Sequence, residues 1–228
     1  TLGATPTVGN LLVIWHVTRA APTPTGPSSG WTAHPDGVAS AAGAGEHGAM
    51  FYRVVETGDG AAWVSNNSAG CQSAAILVEI AGAGLVQDSA EVNDGSGTTM
   101  SASVTPTGAA VILGGAVVAH GDTVAATVTP TAPTVEIAEL WSNPTTPRKP
   151  TAWLGYRLAA AGGTYAVDGT VGVELTPTWG MQALAFAVGA RPWNVAEPNV
   201  NDGDDATYEE LTETPDRKST RLNSSHGI

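Results

Sequence analysis

The stretch Asn10–Thr18, NLLVIWHVT, decides the fold class of this chain. It is a short apolar run, and it lacks the sustained 3.6-residue periodicity and the capping residues that mark a long helix. Runs of the same kind recur along the chain, separated by Gly, Pro, Asn and Asp residues that favour turns. Spacing of this kind predicts an all-β fold, an antiparallel β-sandwich of jelly-roll-like character. The predicted strands are Asn10–Thr18, Ala49–Glu56, Ala61–Asn66, Ala74–Ala81, Met100–Thr105, Ala109–Ala119, Thr123–Val128, Val135–Trp141, Ala152–Ala160, Thr164–Val171 and Met181–Val188.

A weak internal repeat predicts that the sandwich is built from two similar halves. Thr5–Thr7 precedes one apolar run, and Thr105–Thr107 precedes another. Tyr52–Val54 is matched in the same order by Tyr156–Leu158. Self-similarity at a fixed separation is the sequence signature of a duplicated unit. The two halves would be residues 5–82 and 105–189, forming one sandwich or two packed together.

The charge balance limits the classes of partner. The chain has 9 Lys and Arg against 21 Asp and Glu, and its net charge is −12. A surface this acidic is repelled by phosphate backbones and by anionic lipid, so nucleic acid is not an expected partner. No apolar run reaches the roughly 18 residues of a membrane span, so membrane insertion is not expected either. Cys71 is the single cysteine, which excludes an intrachain disulfide and any cysteine-based zinc site.

Tryptophans are the best candidates for ligand contact. Trp31, Trp141 and Trp179 lie in or beside predicted loops. Exposed indole rings on a rigid sandwich stack against sugar rings, but a tryptophan near a strand end also plugs the end of a core. Both interpretations stay open for these three residues. Three other tryptophans, Trp15, Trp63 and Trp153, are predicted to lie inside strands and to belong to the core.

Catalytic motifs are lacking in the sequence. No G-x-S-x-G elbow, P-loop or dinucleotide fingerprint is present, and the histidines are dispersed. Glu79, Glu136, Glu139 and Glu174 lie in or near predicted strands, where paired carboxylates of a glycosidase could stand. Strand acids are also the ordinary outward-facing members of an alternating pattern. We therefore predict a non-enzymatic protein without a cofactor in its main domain, and keep a β-sandwich glycan hydrolase or lyase as a minor alternative.

The acidic segment near the C-terminus resembles a known module. Asp202–Tyr208, DGDDATY, is similar to the early loop of discoidin-like, galactose-binding β-sandwich modules. The resemblance implies that Asp202, Asp204 and Thr207 contribute to a structural calcium site in the complete module, and oxygen ligands around a Gly turn suit that ion. The predicted organisation is a main domain over 1–191, a linker over 192–198 and the truncated start of a second module over 199–215.

The final residues have a different origin. The string DRKSTRLNSSH, Asp216–His226, resembles the in-frame translation of a common short-read sequencing adapter. We therefore expect residues 216–228 to be an artefact tail, and the chain to be a metagenomic fragment that is also truncated at its N-terminus.

The main domain resembles β-sandwiches of phage tail and other virion-associated proteins, and of large bacterial surface proteins. The resemblance depends on TPTVGNLLVIWHV, a Pro-rich loop ending in Gly30-Trp31, FYRVVETGDGAAW and SAAILVEIAGAG. It implies a structural or adhesion module of a virion tail or fibre, in a homo-oligomeric parent that contacts other virion subunits and host-surface glycans. The alternative is a carbohydrate-binding or adhesive region of a secreted or surface-attached bacterial protein.

Overall fold

The computed structural model describes residues 2–19, 23–27, 29–41, 45–67, 71–119, 126–141, 150–172 and 177–188, and confirms the all-β sandwich. Within these ranges every regular element is a strand and every strand pair is antiparallel. Residues Thr1–Pro192 form one compact unit. The predicted linker, the second module over 199–215 and the tail over 216–228 lie outside the described residues.

The described residues form fifteen strands, numbered in chain order. They are β1 Leu11–Thr18, β2 Pro24–Pro27, β3 Thr32–Ala33, β4 Ala39–Ser40, β5 His47–Val54, β6 Ser65–Asn67, β7 Ser73–Ile80, β8 Ala83–Ser96, β9 Thr99–Val104, β10 Ala110–Ala119, β11 Thr127–Pro130, β12 Val135–Trp141, β13 Thr151–Ala159, β14 Tyr165–Gly172 and β15 Thr178–Val188.

These strands form two large and two small sheets. The first large sheet has the order β3-β5-β1-β7, with β4 also paired to β5. The second large sheet has the order β12-β13-β10-β15-β8. The first small sheet is β2-β6 and the second is β11-β14-β9.

The two large sheets pack face to face, and the central strand of each is buried on both faces. On β10, Val111 and Leu113 point into the core shared with the first large sheet. Ile112 and Val118 point the other way, into the core shared with the second small sheet. All residues of β1 and β10 are buried. Two-sided burial explains why both strands read as continuous apolar runs without alternating polar residues.

Trp15 of β1 joins the two large sheets. Its indole lies over two glycines, and a Cβ added to Gly48 or to Gly115 would come within 2.4 Å of the ring. The buried indole Nε1 donates a hydrogen bond of 3.0 Å to the backbone carbonyl of Ala116 on β10. The contact therefore combines a large buried apolar area with a satisfied polar atom.

Strand pairing follows the same pattern in both parts of the chain. β1 lies between β5 and β7, as β10 lies between β13 and β15, and β2 pairs with β6 as β11 pairs with β14. The register also corresponds, although duplication of a unit stays a prediction. The matching sets of paired residues are Tyr52, Val13 and Val78 in the first part, and Tyr156, Leu113 and Leu184 in the second.

Strands with weak apolar character escaped the sequence prediction. β8 has 14 residues and is the longest strand, but it was not predicted. It is an edge strand with irregular register against β15, and Asp88, Asn93, Asp94 and Gly95 interrupt its apolar pattern. β2, β3 and β4 are too short to show a period. The predicted strand Ala61–Asn66 was wrong in extent, because the strand present is Ser65–Asn67.

Substitution of Gly115 tests the contact between the large sheets. In Gly115→Ala the new Cβ would lie 2.4 Å from Cδ2 of the buried Trp15 ring, so one of the two strands must move. We expect the free energy of unfolding, measured by urea denaturation, to fall by about 1–3 kcal/mol. Gly60→Ala is the control, because a Cβ there meets no atom within 4 Å. Equal stability of the two variants would contradict the assigned role of Gly115.

Candidate ligand-binding surface

Two tryptophan rings meet on the first part of the domain. Trp31 lies directly before β3, and Trp63 lies in the segment before β6. Their ring centroids are 6.1 Å apart with an interplanar angle of 79°, an edge-to-face contact. Both residues are half-buried, so each ring is held by the protein and is also partly accessible. Gly30, with φ of 72°, makes the backbone turn that leads into Trp31.

An arginine anchored by two carboxylates lies beside the Trp31 turn. Nη2 of Arg53 on β5 is 2.9 Å from Oδ2 of Asp59 and 3.3 Å from Oε2 of Glu56. A Cβ at Gly30 would come within 3.2 Å of Nη1 of Arg53, so the guanidinium approaches the turn closely. The Glu56 carboxylate remains 80% exposed. The surface formed by Trp31, Trp63, Arg53 and Glu56 is called the Trp31–Trp63 surface below.

Trp31 also has an unused hydrogen-bond donor. Its Nε1 is buried and has no acceptor among the residues that the structure describes. A buried N–H without a partner costs about 1–3 kcal/mol, so this donor favours any arrangement that supplies an acceptor. The partly exposed rings and the exposed Glu56 carboxylate give the Trp31–Trp63 surface both apolar and polar binding capacity.

The structure places the other candidate residues differently. Trp179 is only 7% exposed and lies over Gly95, with its Nε1 donating to the carbonyl of Gly97 at 3.2 Å. It belongs to the core between the second large and second small sheets, as the plug interpretation describes. Trp141 ends β12, and its side chain is outside the description. The predicted calcium ligands Asp202, Asp204 and Thr207 also lie outside the described residues.

The predicted core tryptophans divide into two groups. Trp15 and Trp153 are fully buried, which confirms the prediction for them. Trp63 lies outside any strand and is half-buried, so its placement within a strand was wrong. The preceding residues Gly58–Ala62, GDGAA, carry no strand alternation, and this was the available signal that Trp63 belongs to a loop.

The candidate carboxylates hold backbone and side-chain donors of their own chain. Oε1 of Glu79 accepts hydrogen bonds from the backbone N–H of Thr7 and from Nδ2 of Asn10, and these bonds lower the pKa of Glu79. Glu136 accepts the Nε1–H of Trp153. Glu139 accepts the N–H of Val128 at 2.6 Å, and burial raises the pKa of this carboxyl. Each contact ties neighbouring strands or loops together, and Glu174 lies outside the described residues.

Two histidines are built into the interior. Nδ1 of His16 lies 2.7 Å from Oγ of Ser65, and burial lowers the pKa of His16 to about 4. Nε2 of His34 lies 3.1 Å from the carbonyl of Ala183, while Nδ1 accepts the N–H of Asp36. Burial also lowers the pKa of His34, against weaker opposing effects of its neighbours. Both rings are therefore neutral parts of the packing at neutral pH.

Within the described part of the chain, no three His, Cys, Asp or Glu side chains are grouped so that they could hold a metal ion. The same residues contain no helix with the length and apolar character needed to cross a membrane. Comparison with protein-family models, with curated proteins and with solved structures finds no match.

The buried histidines predict a stability that depends on pH. The unfolded chain binds a proton at each histidine near pH 6.5, whereas folded His16 binds one only near pH 4. The stability that the neutral histidines contribute is therefore fully present above about pH 7, and this contribution is lost as the pH falls from about 6.5 toward 4. His16 alone should reduce the free energy of unfolding by about 2 kcal/mol between pH 7 and pH 5, and His34 acts with the same sign.

Urea denaturation at the two pH values measures this loss. His16→Asn is the matched variant, because its side-chain amide can replace Nδ1 in the hydrogen bond with Ser65 but does not titrate. Between pH 7 and pH 5, we expect the free energy of unfolding of His16→Asn to fall by about 2 kcal/mol less than that of the parent protein. The same pH dependence in both proteins would show that His16 is not the group responsible.

Proposed function

We propose that this protein is a non-enzymatic structural and adhesion module of a phage virion, in the tail or a fibre, and that it binds glycans of the host surface. The observation that carries the proposal is the Trp31–Trp63 pair. The pair is displayed on a scaffold whose large sheets share a core and whose central strands are buried on both faces. Such a scaffold holds surface loops in fixed positions, which suits recognition by loops.

The Trp31–Trp63 surface has the chemistry that a sugar ring requires. The faces of indole rings accept the apolar C–H faces of a sugar. The Glu56 carboxylate is 80% exposed and can accept hydrogen bonds from sugar hydroxyls. A small surface of this kind binds weakly, and many copies in an oligomeric virion component would raise the avidity.

The alternative function is a carbohydrate-binding or adhesive region of a secreted or surface-attached bacterial protein. The same surface supports this proposal, because both functions require glycan recognition by a rigid sandwich. Antibodies raised against the main domain distinguish the two by the particle that they label. Labelling of purified virions supports the first function, and labelling of uninfected bacterial cells supports the second.

Binding of the protein to a broad array of glycans and bacterial envelope fragments tests the recognition site. We expect Trp31→Ala and Trp63→Ala to weaken any binding by about tenfold or more, because each removes one ring of the pair. Val64→Ala is the control, since Val64 is adjacent in sequence and 74% exposed. Trp141→Ala, measured in parallel, reports whether this predicted residue belongs to the site.

Thermal unfolding of each variant separates loss of binding from loss of folding. Equal binding by folded Trp31→Ala, Trp63→Ala and the parent protein would exclude the Trp31–Trp63 surface. No binding by the folded parent protein would leave a structural spacer as the function.

A further inference from the structure

The two parts of the domain differ at the outer edge of the last strand. β8 pairs with the outer edge of β15, and β9 pairs with the outer edge of β14. The corresponding strands of the first part are β7 and β6. β7 is the last strand of the first large sheet, and β6 pairs only with β2 among the described residues. The outer edge of β7, which has no partner strand in the described part of the chain, therefore occupies the position that β8 covers on β15.

Packing between the large sheets shows what a strand on β7 would cover. β4 packs on both β15 and β8, whereas β12 packs on β7 at the corresponding place. A strand added to β7 would therefore lie over β12, as β8 lies over β4. β12 presents three large apolar side chains there that are 38–47% exposed, Val135, Ile137 and Leu140. Exposed apolar residues beside an open sheet edge are the usual mark of an interaction site.

A groove beneath the free edge continues this apolar surface. It has a volume of about 540 Å³ and lies between the end of β7 and the ends of strands in the second large sheet. Leu158, at its rim, is 68% exposed. The side chains that line it are mostly aliphatic, and those from β7 and β10 include Val78, Ile80, Val111 and Leu113.

The place beside β15 that corresponds to this groove is filled by side chains of β8. Ala83 and Val86 of β8 pack there in one cluster with Phe186. The same core cluster contains Leu11, Val13, Tyr52 and Val54, which correspond by strand register to Val111, Leu113, Tyr156 and Leu158 at the groove. The groove is therefore the site that side chains like Ala83 and Val86 occupy in the complete arrangement.

The start of the chain already follows the path of the second hairpin strand. The backbone N–H of Leu2 donates a hydrogen bond of 2.8 Å to the carbonyl of Ala61, ahead of β6. In the second part, β9 runs beside β14 and leads through Thr105–Thr107 into β10. Leu2 leads through Thr5–Thr7 into β1 in the same way.

We propose that the free edge of β7 and the adjoining groove bind a β-hairpin of the same kind as Ala83–Val104. Its first strand pairs antiparallel with β7, with small apolar side chains in the groove and over β12. Its second strand pairs with the segment ahead of β6 and extends the pairing that the Leu2–Ala61 hydrogen bond begins. Backbone hydrogen bonds along an open edge provide affinity, and side chains that enter pockets provide specificity. This inference is independent of the proposed glycan binding.

A second copy of the hairpin, fused to the full chain, tests the proposal. Residues 83–104 are placed directly before Thr5, in place of residues 1–4, so that the junction matches the one between Val104 and Thr105. We expect the amides of β7 to exchange with solvent about tenfold or more slowly than in the parent chain, because a new strand protects them. The control fusion carries proline at the positions of the added strand that correspond to Val86 and Asp88, and it should leave β7 exchange unchanged.

Three results would overturn the proposal. One is unchanged β7 exchange in a folded fusion. Another is equal protection of β7 by the proline control. The third is protection of β7 in the parent chain together with dimers in sedimentation, which would assign the edge to a second copy of the protein. If the fusion does not fold, a free peptide of residues 83–104 is added to the full chain, and absence of β7 protection at saturating peptide overturns the proposal equally.

Discussion

The contact between Trp15 and Gly115 is the constraint on which the rest of the structure depends. The strand register makes these two residues the corresponding positions of β1 and β10. A tryptophan stands at one and a glycine at the other, so the ring of the first strand enters the space that the second leaves open. Two tryptophans would collide there, and two glycines would leave a cavity. The pair lets the two large sheets meet closely and bury the facing sides of their central strands.

This packing determines where polar chemistry is found. The central strands carry apolar side chains on both faces, and the buried polar groups His16 on β1 and Gln182 on the neighbouring β15 both have hydrogen-bond partners. The carboxylates of the large sheets lie on their outer strands, where Glu79 and Glu139 accept backbone N–H groups. The recognition that we propose is therefore assigned to loops, where the Trp31–Trp63 pair is held on a rigid support.

Particular residues show how far sequence reasoning reached. Asn10–Thr18 and Ala109–Ala119 were predicted as strands almost to the residue, because strands buried on both faces must be apolar throughout. β8 was missed, since an edge strand exposed on one side tolerates Asp, Asn and Gly and loses its pattern. Trp31 was proposed as a ligand-binding residue from its loop, but its partners Trp63 and Arg53 were not identified. They lie far from Trp31 in the sequence, and only the pairing of β3 with β5 brings Arg53 near it.

The sequence by itself determined the all-β class, most of the inner strands and the acidic character of the chain, because these depend on local apolar pattern and composition. It also contained the matching order of motifs in the two parts of the domain. Only the tertiary structure decided which tryptophans are buried, which sheets share a core and which edge has no partner strand among the described residues. These features depend on contacts between residues about a hundred positions apart, such as Trp15 with Ala116. Pattern along the chain carries no information on which of several similar strands will become neighbours in space.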